Sequence, residues 1–116
     1  MERMSEPKQT LSDAEVAEAA LADRRHDGTA LTASFRTRAF AAGLDLVNRI
    51  GASAEPADHH PDIALAYSRV RVALSSHDVG GLTIRDIRLA RAISEHAAAM
   101  GVQTERGDVE AAAGIE

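Results

Sequence analysis

Apolar and polar positions change period several times along this chain. From residue 30 to residue 37 the two kinds alternate: Leu31, Ala33 and Phe35 fall on one side, Thr32, Ser34 and Arg36 on the other. That period of two predicts a half-buried strand. The period then lengthens. Phe40, Leu44, Val47 and Ile50 recur at helical spacing and predict a helix over residues 39–54, weakened locally by Gly43 and Gly51. Pro56 and Pro61 bracket a short loop over residues 57–60. Residues 62–67 and, more clearly, 69–75 return to alternation, with Val70, Val72 and Leu74 on one face and Arg69, Arg71 and Ala73 on the other. Gly80-Gly81 breaks the pattern. Thr83 then fits the N-cap of a further helix with the apolar stripe Ile87, Ala90, Ile93, Ala97 and Met100, stopped by Gly101.

Ahead of the first clear strand, Ser12 and Glu15 have the spacing of a capping box, and Leu11 and Val16 that of a hydrophobic staple. A short helix to about Ala22 is expected there, with a turn at Asp27-Gly28. The predicted order is helix, weak strand, strand, helix, strand, strand, helix. Strands with one apolar face and helices with one apolar stripe predict a two-layer α+β sandwich. One domain is expected over residues 11–102, between flexible polar tails at 1–10 and 103–116.

Composition narrows this picture. At 116 residues one domain is expected, and 45% hydrophobic residues suffice for a core. Aromatics are only 3% and Trp is absent, so Ala, Leu, Ile and Val must build that core. Small domains with small core side chains often gain stability by self-association, and a homo-oligomer is expected. The net charge is −5 and the Arg residues form no basic block, which argues against a nucleic-acid partner. With no Cys there can be no disulfide and no thiolate metal site. The segment MERMSEPKQT has neither an apolar run nor a secretory cleavage pattern, and no stretch approaches the roughly 20 apolar residues that cross a bilayer. A cytoplasmic protein without membrane contact is expected.

The residues able to carry chemistry lie in loops and at the ends of elements, where functional side chains concentrate. His59 and His60 follow the second helix, His77 follows a strand, Glu55 ends that helix, and Asp86 sits in the first turn of the last one. Each also has a plain structural explanation. The two adjacent histidines suit a solvated loop. Thr83 and Asp86 form a capping box in their own right. Glu55 and Arg85 suit exposed helix ends, and Tyr67 suits a packed position at a strand end. Three imidazoles and a carboxylate could hold Zn²⁺, but adjacent histidines in a loop converge less readily than an i, i+4 pair on a helix.

Taken together, the spacing is distinctive. Glu55 is followed after three residues by His59-His60-Pro61, after five more by Tyr67, after nine by His77 and after eight by Asp86. This resembles the signature of the pterin-4α-carbinolamine dehydratase family, as does the run SSHDVGGLTIRDI from Ser75 to Ile87. The similar region covers about residues 30–100. The resemblance implies a four-stranded antiparallel sheet with helices packed on one face, and dimers or dimers of dimers. It implies that His59, His60 and His77 surround a bound pterin as the catalytic groups, with no metal and no cofactor. It carries pterin contacts over to Asp58, Ser75, Ser76 and Asp78 and supporting positions to Glu55, Arg85 and Asp86. The chain departs from the family in one respect. A Trp usual at the pocket rim is missing, and Arg24 or a neighbour stands there, which bears on pocket closure and activity.

The implied reaction is dehydration of 4a-hydroxytetrahydropterin, such as 4a-hydroxytetrahydrobiopterin, to the quinonoid dihydropterin during tetrahydrobiopterin recycling, which couples it to an aromatic amino acid hydroxylase. The leaving hydroxide needs a proton and a ring N–H must lose one. Imidazole, with a reference pKa near 6.5, suits both tasks. Similar proteins also act as binding or assembly partners, including a dimerisation cofactor for a homeodomain transcription factor, so a non-catalytic coactivator-type role is the alternative.

Overall fold

The computed structural model describes residues 9–12, 14–15, 25–26, 30–76 and 78–104. In it the alternating segment becomes strand β2, Leu31–Arg36, preceded by the two-residue β1, Arg25–His26. Helix α1 runs Phe40–Ala57, and the hairpin strands β3, Asp62–Ala66, and β4, Arg69–Leu74, follow it. Helix α2 is Ile84–Met100, and β5, Gln103–Thr104, ends the order. The antiparallel sheet is four strands wide in the order β1-β2-β4-β3, with β5 sharing with β1 the free edge of β2.

Register explains the single core. Leu31 pairs with Leu74, Ala33 with Val72 and Phe35 with Val70, so the apolar sides of β2 and β4 fall on one face. All six are buried, and α1 and α2 cover that face with Leu46, Ile50, Ala54, Ile87, Ala90, Ile93 and Ala97. Burying a Leu, Ile or Phe side chain contributes about 1.5–3 kcal/mol, so this aliphatic set carries the fold without Trp. The two-layer α+β sandwich is the architecture the periodicities predict, and the helices on one face are what the resemblance implies.

Several local expectations need correction. The stripe of α1 that faces the sheet is Gly43, Leu46, Ile50 and Ala54, while Phe40 and Leu44 remain 48% and 45% exposed. The helix is apolar on two sides, and spacing alone does not tell which is covered. Gly43 is there for close approach: a Cβ on it would stand 2.7 Å from Leu65 Cδ1 and 3.3 Å from Val70 Cγ2. Tyr67 is not packed but 73% exposed, because Tyr67 and Ser68 form the two-residue tip joining β3 to β4. Gln103 and Thr104, assigned by sequence to a tail, pair with Arg36 and Phe35.

The end of α1 also differs from expectation. The helix continues through Pro56 to Ala57 instead of stopping before the proline. A proline in the last turn forfeits one hydrogen bond, and the fixed φ of its ring is itself helical. The chain leaves the helix at Asp58, left-handed at φ 53°, whose N–H reaches the Glu55 carbonyl at 3.1 Å while the His59 N–H reaches the Ala54 carbonyl at 3.3 Å. This pair of reversed bonds is the Schellman ending. Helix α2 ends the same way, with Gly101 at φ 73° and bonds from Gly101 to Ala98 and from Val102 to Ala97. One ending uses Gly; the other uses Asp, which tolerates the left-handed region better than most side chains.

At the N-terminal side, the Ser12–Glu15 capping box is formed in both directions, at 2.8 and 3.1 Å. Leu11 packs against the core and its N–H meets the Leu82 carbonyl at 2.7 Å. The staple partner Val16, the rest of that expected helix, the Asp27-Gly28 turn and Arg24 lie outside the described residues.

Candidate active site

Three chain ends meet at one edge of the sandwich: the end of α1, the end of β4 and the start of α2. Strand parity delivers the first polar group. On β4 the core side is Val70, Val72 and Leu74, and Ser76 continues that two-residue rhythm, buried at the point where the strand gives way to loop. The loop is tight. The Ser76 carbonyl accepts from Val79 and Gly80, and Ser76 N–H donates to the Gly81 carbonyl at 2.8 Å.

The start of α2 supplies the next groups. Thr83 is the N-cap, extended at φ −133°, and its hydroxyl accepts the Arg85 N–H at 3.1 Å. Asp86 returns the cap by accepting the Thr83 N–H at 2.9 Å through Oδ2. The same oxygen accepts the Ser76 hydroxyl at 2.7 Å. Its other oxygen, Oδ1, lies 2.7 Å from His59 Nε2, with the side chains 0% and 8% exposed. The capping-box reading of Asp86 therefore holds, and the same carboxylate also bonds a signature histidine. A carboxylate in the first turn also suits the positive end of the helix.

His60 takes another course. Its Nε2 lies 2.8 Å from Glu55 Oε2 in an exposed pair. The two adjacent imidazoles thus engage different carboxylates, one inside and one at the surface. Arg85 spans the rim, with Nε on the Thr83 hydroxyl at 3.2 Å and NH2 on Asp78 Oδ1 at 2.9 Å. Ser75 is half-buried and Asp58 is exposed. His77 lies outside the described residues. So His59, Ser76, Asp78, Arg85 and Asp86 form one bonded cluster, with Glu55 and His60 as a neighbouring pair. Thr83, at the centre of the cluster, was legible in the sequence only as a cap.

Among the described residues no three His, Asp or Glu side chains gather as a metal cage would. An open hollow of about 310 Å³, lined by residues that include Arg36, Arg38 and Gln103, lies at the other ends of α1 and α2 and contains no signature residue.

The fold and this cluster define a small α+β domain built around a histidine–carboxylate site that uses no thiol. More narrowly, the chain belongs to the pterin-4-alpha-carbinolamine dehydratase family, whose model, described as Pterin 4 alpha carbinolamine dehydratase, matches residues 9–96. A protein of Chloroflexus aurantiacus, provisionally named a pterin-4-alpha-carbinolamine dehydratase, is 45% identical over 87 residues, covering 73% of this chain and 94% of its own. One of Nocardia farcinica with the same provisional name is 42% identical over 87 residues, covering 73% and 92%. A solved structure described as a transcriptional coactivator/pterin dehydratase from Brucella melitensis superposes with a TM-score of 0.72 at 32% identity, covering 77% of this chain and 99% of that one. Among the described residues no helix is long and apolar enough to cross a membrane.

Proposed function

We propose that this chain is a hydro-lyase that dehydrates 4a-hydroxytetrahydropterin, with 4a-hydroxytetrahydrobiopterin as the specific substrate, to quinonoid dihydropterin and water. The observation that carries the reading is the buried 2.7 Å contact of His59 with Asp86 inside a chain of this family. In the reaction the C4a–O bond breaks, the departing hydroxyl takes a proton to leave as water, and a ring N–H surrenders one as the C=N bond forms. What side chains must supply is one proton given and one taken. His59 on Asp86, His60 on Glu55, and His77 are the groups assigned to it. Ser75, Asp58 and Asp78 are the assigned substrate contacts. A reaction of this kind sits beside an aromatic amino acid hydroxylase, which would release the carbinolamine in the cytoplasm.

The test is a stopped-flow assay with freshly generated 4a-hydroxytetrahydropterin. Acceleration of its decay, lost in His60→Ala and His77→Ala, supports the reading; a decay rate equal to that in buffer refutes it.

A second reading, a coactivator-type binding role, is favoured by one observation. Phe40 and Leu44 are large apolar side chains four residues apart on α1 and are left open. It requires no turnover, so the same assay separates the two.

A further inference from the structure

Proton counting gives the cluster a direction. Ser76 Oγ has one hydrogen, and its 2.7 Å contact with a carboxylate oxygen uses it. In the 2.9 Å contact between Ser76 and Thr83 hydroxyls the donor must then be Thr83. Thr83 Oγ1 still has two lone pairs, and these meet the Arg85 N–H and Nε–H at 3.1 and 3.2 Å. Arg85 can only donate. The chain therefore runs one way, from Arg85 to Thr83 to Ser76 to Asp86, and the Thr83 N–H adds a second donor to Asp86 Oδ2. Both hydroxyl hydrogens are committed, and Ser76, Thr83 and Asp86 are 1%, 0% and 0% exposed, so water does not substitute for any of these partners.

We propose that Ser76 is a positioning residue and not a substrate contact: with Thr83 and Arg85 it holds Asp86 as a pure acceptor, which fixes His59 as the Nε2–H tautomer. The neutral His59 ring then carries its lone pair on Nδ1, which meets no partner among the described residues. His59 is thereby the base of the pair of proton transfers, and the acid is His60 or His77. The inference rests on the functional reading above only for that last assignment. It also separates two adjacent serines. Ser76 is turned to the core and its hydrogen is committed to Asp86, whereas Ser75 on the other side of the strand is half-buried.

Imidazole ¹⁵N spectra of the full chain, at a pH where the rings are neutral, read the tautomer without any substrate. His59 should show a protonated Nε2 and a bare Nδ1, and Ser76→Ala should mix the two tautomers. In the dehydration assay Ser76→Ala should lower kcat by roughly tenfold, short of the 10²–10⁴-fold of an acid–base group itself, with KM changed less than twofold. Thr83→Val should act in the same direction and Thr83→Ser should restore the wild-type values. A wild-type His59 protonated at Nδ1 overturns the proposal, as does a Ser76→Ala variant whose KM rises while kcat stands. A wild-type chain with no dehydratase rate but with the tautomer pattern and its loss in Ser76→Ala removes the functional reading and supports the relay.

Discussion

His59 and Asp86 stand 27 residues apart in sequence and 2.7 Å apart in space, joined by a hydrogen bond that both side chains make almost entirely out of solvent. The contact closes the sandwich at one edge, because His59 leaves α1 and Asp86 opens α2. It also makes one carboxylate answer for a helix start, a strand end and an imidazole. Its removal should therefore be felt in stability before it is felt in chemistry.

Asp86→Ala leaves three donors without an acceptor: the Ser76 hydroxyl, the Thr83 N–H and His59 Nε2–H. A capping box alone suggests a loss of roughly 1 kcal/mol. Each buried donor left unpaired adds about 1–3 kcal/mol, so the expected cost is roughly 3–5 kcal/mol. Urea denaturation of the variant measures it, and a loss near 1 kcal/mol would show that the cluster relaxes around the gap.

His59→Ala and His60→Ala should part company. Both should lower the dehydration rate on the order of 10²-fold. The buried His59 leaves Asp86 Oδ1 bare and should cost about 1–3 kcal/mol of stability, whereas the exposed His60 should stay within roughly 0.5 kcal/mol of wild type. Rate and melting temperature measured side by side decide this. A His60→Ala protein that melts early yet turns over normally per folded molecule would make that histidine structural. His77→Ala is expected to follow His60→Ala.

Asp58→Gly should stabilise the chain, since a left-handed residue with a Cβ bears a strain on the order of 1 kcal/mol that Gly avoids. If Asp58 also touches the pterin, KM rises in the same variant. A higher urea midpoint with an unchanged KM would leave Asp58 as a turn residue only.

Leu44→Glu should reduce self-association. Light scattering of the wild-type chain at micromolar concentration should give a multiple of 12.3 kDa, and the variant a smaller multiple. A wild-type mass of one chain would contradict the expected oligomer.

Chelation should leave the dehydration rate unchanged, because imidazoles supply the proposed acid and base. A rate lost with EDTA and regained with Zn²⁺ would replace imidazole acid–base chemistry by a metal-bound hydroxide.

Much of this was legible in the sequence for physical reasons. Alternation at Leu31, Ala33 and Phe35 and at Val70, Val72 and Leu74 has a single solution when one side must be dry, and the two strands pair residue for residue. Thr83, Asp86 and Gly101 announce the ends of α2 through bonds that only those side chains and that backbone make. The inner face of α1 was not legible, because Phe40 and Leu44 repeat as well as Leu46 and Ile50 do, and only the sheet chooses between them. Pro56 misled because a last-turn proline loses one bond and the Asp58 turn recovers the carbonyls beyond it. In the candidate site, spacing singled out His59, His60 and Asp86 but did not tell who bonds whom. Ser76 could have been placed from the parity of β4, which puts it on the side of Leu74.

The left-handed Asp58 has an effect that reaches past the helix it terminates. By turning the backbone there it sends one imidazole inward and leaves its neighbour in water. A repeated letter in the sequence thus becomes two unlike reagents. One is nearly enclosed and held by a buried carboxylate. The other stands in solvent on an exposed carboxylate, so identical neighbours in the chain occupy an inner and an outer environment.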